Sequence, residues 1–268
     1  MAQIHPAPIH DMEMLVVVND TQLYRQCDEE ALGAMIAFLE EYKDKITHFV
    51  FNGDIMDMEE QSSFSKSPEQ HGQSNIEIKA GQWLIRYIAE LLPYAEKVFI
   101  FGNHDQRWEN LIKNQNMGLE EWVIPFDEMF ELTKNGFKVI PYGRGNYYQW
   151  HDRFFWHGHR AGAKSNIPKL EMEEMGTSVS TAHINRNMFF ENVDVLGNYK
   201  SGLTHGGFSK NNLGFMMKAN TGWSQGFGVY YWSEDIGEQP YSIIMKHGTP
   251  SFIYEVIKFT GRGWRIPI

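Results

Sequence analysis

The 268 residues carry 24 Lys and Arg against 34 Asp and Glu, a formal net charge of −10, and no Lys/Arg run exceeds two residues. That balance argues against a high-affinity nonspecific duplex-DNA binder, which needs a basic face, but not against a nuclease, whose bound cations supply positive charge locally. A single cysteine, Cys27, excludes an intrachain disulfide, and neither a secretory leader nor an apolar run of membrane-spanning length is visible, so no membrane partner is expected and the expected address is the cytoplasm.

In chain order, residues 1–12 have two Pro, two His and no periodicity, and read as a surface tail; 13–268 read as one domain. The apolar run 14–18 suits a strand buried on both faces and stops at Asn19-Asp20. Residues 28–43 repeat apolar side chains at helical spacing, 47–51 form a second strand ending at Asn52-Gly53-Asp54, 75–92 form a second helix closed by Pro93, and 97–101 form a third strand ending at Gly102-Asn103-His104-Asp105. Strand, helix, strand, helix, strand, with acidic or amide residues after each strand, is an α/β layered arrangement whose site lies beyond the carboxyl ends of the strands. Residues 104–134 look mostly helical. Short strands follow at 137–140, 147–150 and 153–156, with a hairpin turn at His151-Asp152, then a helix at 168–175. Beyond 177 the chain reads as strands with glycine-rich connections at 197–207 and 222–228.

Five short segments carry the chemistry: Asp20-Thr21-Gln22, Gly53-Asp54-Ile55-Met56-Asp57, Gly102-Asn103-His104-Asp105, Trp156-His157-Gly158-His159 and Ala182-His183-Ile184-Asn185. Carboxylate, amide oxygen and imidazole are donors suited to first-row divalent cations and magnesium. Each segment alone is weak; five in this order, each after a strand, point to a metal site. Cys27 lies outside every motif and no P-loop is present, which sets aside cysteine-phosphatase and P-loop chemistry.

The five segments resemble the signature of the calcineurin-like metallophosphoesterase superfamily, D-x-H, G-D-x-x-D, G-N-H-D/E, H and G-H-x-H, and are most similar to the small phage and bacterial phosphoesterases whose first motif can read D-x-Q. The resemblance spans roughly residues 14–186. It implies a four-layer α-β-β-α sandwich of two mixed β-sheets flanked by helices, and a centre of two divalent metal ions. Asp54 would bridge them; Asn103, His157 and His183 would complete one site, and Asp20, Gln22 and Asn185 the other. His104 would protonate the leaving group or contact the phosphate, oriented by Asp105. The implied reaction is hydrolysis of a phosphate ester by a metal-bound hydroxide, with a phosphodiester such as a nucleotide or nucleic-acid end as substrate. The alternatives are a phosphomonoesterase and a non-catalytic binding or structural module with a degenerate metal site. A phage-encoded chain would act in the host cytoplasm.

Two departures stand out. Gln22 and Asn185 replace the usual histidines, both on one site, and Ala182 stands where glycine is usual. Oxygen donors alone make that site weaker for Zn²⁺ and relatively better for Mn²⁺ or Mg²⁺, so Mn²⁺ is the expected metal, with Mg²⁺, Zn²⁺ or Fe as the alternatives. His205 is a candidate replacement imidazole only in residue type. Asp57 reads as support for a ligand or as a helix terminus. Arg107 is a candidate phosphate contact or a surface ion pair, and His159 and Arg160 are candidate cleft residues. The stretch after Gly53-Asp54 lacks the arginine of the Ser/Thr protein phosphatase branch.

Overall fold

Residue alternation explains the first strand and the layering together. In a computed structural model that describes residues 12–62, 74–114, 124–161, 166–210, 222–245 and 250–267, β1 (Glu13–Val18) sends Met14, Val16 and Val18 into one core and Leu15 and Val17 into another. A strand buried on both faces has no polar face to show, which is why its sequence is a continuous apolar run. Of the expected tail, residues 1–12, all but residue 12 lie outside the described residues, as do His5, His10, His71 and His247.

From β1 the chain enters α1 (Glu29–Tyr42), where the Asp28 carboxylate caps the first turn by accepting from the Ala31 amide. Then come β2 (His48–Asn52), α2 (Ser74–Leu91), β3 (Glu96–Ile100), α3 (Gln106–Asn114), α4 (Phe126–Phe130) and β4 (Phe137–Ile140). The second half holds β5 (Tyr148–Trp150), β6 (Arg153–Phe155), α5 (Ile167–Met175), β7 (Ser178–Thr181), β8 (Asn187–Val193) and β9 (Tyr199–His205). It ends with β10 (Gln225–Ser233), β11 (Gly237–Met245) and a hairpin of β12 (Ser251–Tyr254) and β13 (Ile257–Thr260).

Two mixed sheets result. The first has the order β11-β10-β1-β2-β3-β4, with β1 to β4 parallel; the second has the order β5-β6-β7-β9-β8, with β6, β7 and β9 parallel. Leu15, Val17, Val50, Val98, Phe155 and Tyr230 fill the space between the sheets. Phe38, Phe49, Phe51, Phe99 and Phe126 fill the space between the first sheet and its helices. On the far side α5 covers the second sheet. This is the four-layer α-β-β-α sandwich, and most of the aromatic excess goes into these two cores.

Residues 104–134 read as mostly helical, and among the described residues they hold the short helices α3 and α4 and a 3-10 turn at Thr133–Asn135, with 115–123 outside the description. One expectation needs correction. The glycine-rich stretches 197–207 and 222–228 are largely strand, not connection, because they contain all of β9 and the start of β10. Their glycines serve close approach: a Cβ on Gly202 would lie 2.3 Å from the Pro168 carbonyl oxygen of α5, and one on Gly228 would lie 2.6 Å from the His205 ring.

Candidate metal centre

All five motif segments leave the carboxyl ends of strands: β1, β2 and β3 in one sheet, β6 and β7 in the other. The turns that follow are strained. Asp20, Gln22, Asp54, His183 and Asn185 all adopt positive φ, between 43° and 69°. Non-glycine residues seldom do so, and such strain gathers where a site over-determines the backbone. The β1 and β2 loops are zipped together: the Asp20, Gln22 and Leu23 amides donate to the Gly53, Asp54 and Ile55 carbonyls, each at 3.0 Å. Glycine serves close approach at both exits. A Cβ on Gly53 (φ 85°) would lie 2.2 Å from His157 Nδ1, and one on Gly102 would lie 2.1 Å from Asp54 Oδ1.

The first cluster is tight. His157 Nε2 lies 3.2 Å from Asp54 Oδ2 and 3.2 Å from Asn103 Oδ1, and His183 Nδ1 lies 2.8 Å from Asn103 Oδ1. One donor atom each from Asp54, His157 and His183 falls within a 4.8 Å span, the only such group among the described residues. His157 Nδ1–H donates to the Asn52 carbonyl at 2.9 Å, which directs Nε2 into the pocket, the usual arrangement behind a metal-binding imidazole.

The second cluster is built of oxygen. The Asp20 carboxylate accepts from the His183 amide through Oδ2 at 3.1 Å, while Asp20 Oδ1 and Asn185 Oδ1 are buried with no hydrogen-bond donor. Both residues border Gly207, where a Cβ would lie 2.3 Å from Asn185 Oδ1 and 2.8 Å from Asp20 Cβ. Buried acceptors without donors are costly, and a cation is a partner that satisfies them. The donor set therefore fits a divalent ion. Gln22 is brought alongside, but its Oε1 accepts from Ser209 Oγ at 2.6 Å, so it is the least committed of the seven candidates. His205 does not supply a replacement imidazole. It sits between the sheets, bonded to Tyr230 Oη and Ser242 Oγ.

Electrostatics follow from burial and proximity. Burial pushes the Asp20 carboxyl up to about 8, with the Asp54 charge adding to it. Burial opposes ionisation of Asp54 too, but His157 and His104 outweigh it and hold that carboxyl below the usual range. Burial alone would depress His157; the Asp54 carboxylate raises it to about 9. Partial burial, and then the nearby His157, push His183 down to about 4. Positive charge is thus favoured at one place, against Asp54, where a proton on His157 meets the carboxylate that a cation would meet.

His104 stands beside this cluster. Its amide donates to Asp54 Oδ1 at 2.8 Å, its Nδ1–H donates to Asp57 Oδ1 at 3.0 Å, and its Nε2 lies 3.8 Å from Asp54 Oδ2. Asp54 and Asp57 raise its pKa against the effect of burial. Arg107 reaches the same place: Nη2 lies 3.0 Å from His104 Nε2, and Nη1 donates to the Asp57 carbonyl at 2.8 Å. Asp105 does not face His104. Its carboxylate accepts from the Met56 and Gly102 amides at 3.0 and 2.9 Å, so it ties the β2 and β3 loops together, and Asp57 is the residue that orients the ring. Adjacent side chains on a turn point apart, and the motif alone does not say which acid turns toward the histidine. Gln26, which donates to Asp57 Oδ2 at 2.8 Å, carries no motif signal at all. His159 and Arg160 turn to Arg144 and to the acids Glu171 and Glu174.

No helix among the described residues is long and apolar enough to cross a membrane. No curated protein matches the sequence. Among solved structures the chain is similar to Vacuolar Protein Sorting 29 from Cryptosporidium parvum, at 11% identity and a TM-score of 0.42 over 93% of this chain and 96% of that one. It is also similar to Vps29 from Chaetomium thermophilum, at 10% identity and a TM-score of 0.38 over 92% and 98%. The calcineurin-like phosphoesterase family model matches residues 14–265, from within β1 to beyond β13 and through every motif loop, and the chain belongs to that family.

Proposed function

We propose that this chain is a hydrolase of phosphate esters, with a phosphodiester such as a nucleotide or nucleic-acid end as its substrate class. The observation that carries the reading is the convergence of buried Asp54 and His157 with half-buried Asn103 and His183 in one cluster with His104 at its edge. Asp54, Asn103, His157 and His183 would hold one divalent cation; Asp20, Asp54 and Asn185, with Gln22 beside them, would hold a second. Two such cations, when bound, neutralise phosphoryl oxygens and acidify the attacking water.

The chain's own groups supply the rest. His104 Nδ1–H is held by Asp57, so Nε2 is the atom that can carry a proton to the leaving-group oxygen. The Arg107 guanidinium, beside that nitrogen, offers a charge-assisted donor to a phosphate oxygen. Asp105 and the zipped loops keep Asp54 and Asn103 in register. The oxygen-only second cluster makes manganese the proposed metal, ahead of zinc.

One observation favours a second reading. The Gln22 carbonyl is already bonded to Ser209, which leaves the second cluster fewer free donors and fits a one-cation centre with a binding rather than a hydrolytic role. A panel of aryl and alkyl mono- and diesters, assayed with manganese, magnesium, zinc and no metal alongside metal content, separates the two. Diester turnover with two manganese ions per chain is expected. Monoester-only turnover would reassign the substrate class, and one tightly held ion with no turnover would establish the binding reading.

A further inference from the structure

We propose that Gln26 is a positioning residue for His104, acting through Asp57. The inference rests on the hydrolytic reading, in which His104 is the proton donor.

Gln26 is delivered to the site by backbone pairing rather than by any motif. The loop after β1 runs beside the loop after β2, joined by the Gln22 and Leu23 amides and by a bridge between Leu23 and Met56. From the other side the Lys210 amide donates to the Gln26 carbonyl, and Cys27 pairs with Ser209. The buried Gln26 side chain then meets the buried Asp57 carboxylate, Nε2 to Oδ2, at 2.8 Å.

Asp57 therefore has both oxygens assigned, Oδ2 to Gln26 and Oδ1 to the His104 ring. A carboxylate held at one oxygen alone can rotate, and a competitor is at hand: Arg107 Nη1 lies 3.7 Å from Oδ1. A closer approach of this ion-paired guanidinium would draw Oδ1 from the imidazole and leave the ring free to turn. A neutral amide suits the role because it fixes the carboxylate without cancelling the charge that His104 needs. Its donor to a charged acceptor is of the stronger class.

The test uses the manganese-loaded chain and two variants. Gln26→Met keeps length and volume but removes the donor. Gln26→Asn keeps the amide one methylene short and serves if Q26M folds poorly. With an alkyl phosphodiester, a poor leaving group, kcat of Q26M is expected to fall roughly ten- to a hundredfold, the range for a hydrogen bond to a charged group. KM and bound manganese should stay unchanged, and the loss should shrink for a nitrophenyl diester. In a His104→Ala background Q26M should cost nothing further. Equal losses in both backgrounds, or full kcat in both Q26M and Q26N, would overturn the proposal. The metal-free protein gives a second readout: the His104 Nδ1–H resonance, assigned by its loss in H104A, should exchange with solvent at least about tenfold faster in Q26M. If the wild type hydrolyses nothing, the hydrolytic reading fails, and this exchange rate still decides whether Gln26 holds the ring. An unchanged rate would overturn it.

Discussion

Asp54 is the residue on which the centre converges, reached by His157 Nε2 at 3.2 Å and by the His104 amide at 2.8 Å. Asp54→Ala should abolish metal binding and turnover together, because both proposed cation positions share that carboxylate; calorimetric titration with manganese and an ester assay read the two losses. Retention of either would remove Asp54 from the bridging role. His104 should behave differently. His104→Ala should keep its metal and lose turnover by roughly 10²–10⁴-fold, the range for a positioned acid. The loss should be smaller for leaving groups that need no proton. Equal losses across leaving groups would make His104 a phosphate contact instead.

At the scale of elements, the site is a property of loops that fit only because certain positions lack a side chain. Gly102 has room for no Cβ, since one would sit 2.1 Å from Asp54 Oδ1 and 2.3 Å from its amide nitrogen. Gly102→Ala should therefore displace the Asp54 carboxylate while leaving β3 intact. Manganese affinity is expected to fall roughly ten- to a hundredfold, as for other losses of support around a ligand. Wild-type affinity in G102A, with an unchanged circular dichroism spectrum, would show that the loop can yield. Asp105 works at the same scale, since its two backbone acceptances join the β2 exit to the β3 exit.

At the scale of the molecule, burial of acids ties stability to pH. Glu77 on α2 is buried, accepts from the Met58 amide at 2.7 Å and lies near Asp57, and burial pushes its carboxyl from 4.5 up to about 8. A raised carboxyl means that the folded state holds a proton the unfolded state has released. Its stabilising contribution is complete below about pH 4.5 and is lost as pH rises through about 8. Asp20, raised to about 8, and Asp105, raised to about 7, act in the same direction. The metal-free chain should lose stability between pH 6 and pH 9, and Glu77→Gln should flatten that slope; urea midpoints in EDTA at the two pH values measure it. Parallel slopes for E77Q and wild type would dismiss Glu77 as a contributor. Manganese should also raise the melting temperature of the wild type and leave that of D54A unchanged, because a ligand stabilises only the state that binds it.

The sequence by itself determined the first three of the four parallel strands of the first sheet, the helices between them and the five loops that bear the candidate ligands. Those features are local: apolar runs such as 14–18 record burial on both faces, and Asp, Asn, Gly and His gather where strands end. Tertiary structure alone decided what distant segments do to one another. It turned Asp57 rather than Asp105 toward His104, brought Gln26 against Asp57 across 31 residues and bonded Gln22 to Ser209 across 187. It also made strands of glycine-rich stretches that read as connections, because the need for a missing Cβ at Gly202 comes from α5, 34 residues away at Pro168. A side chain's type is written in the chain, but which neighbour it faces is fixed only when separate loops pack, and no local periodicity records that choice.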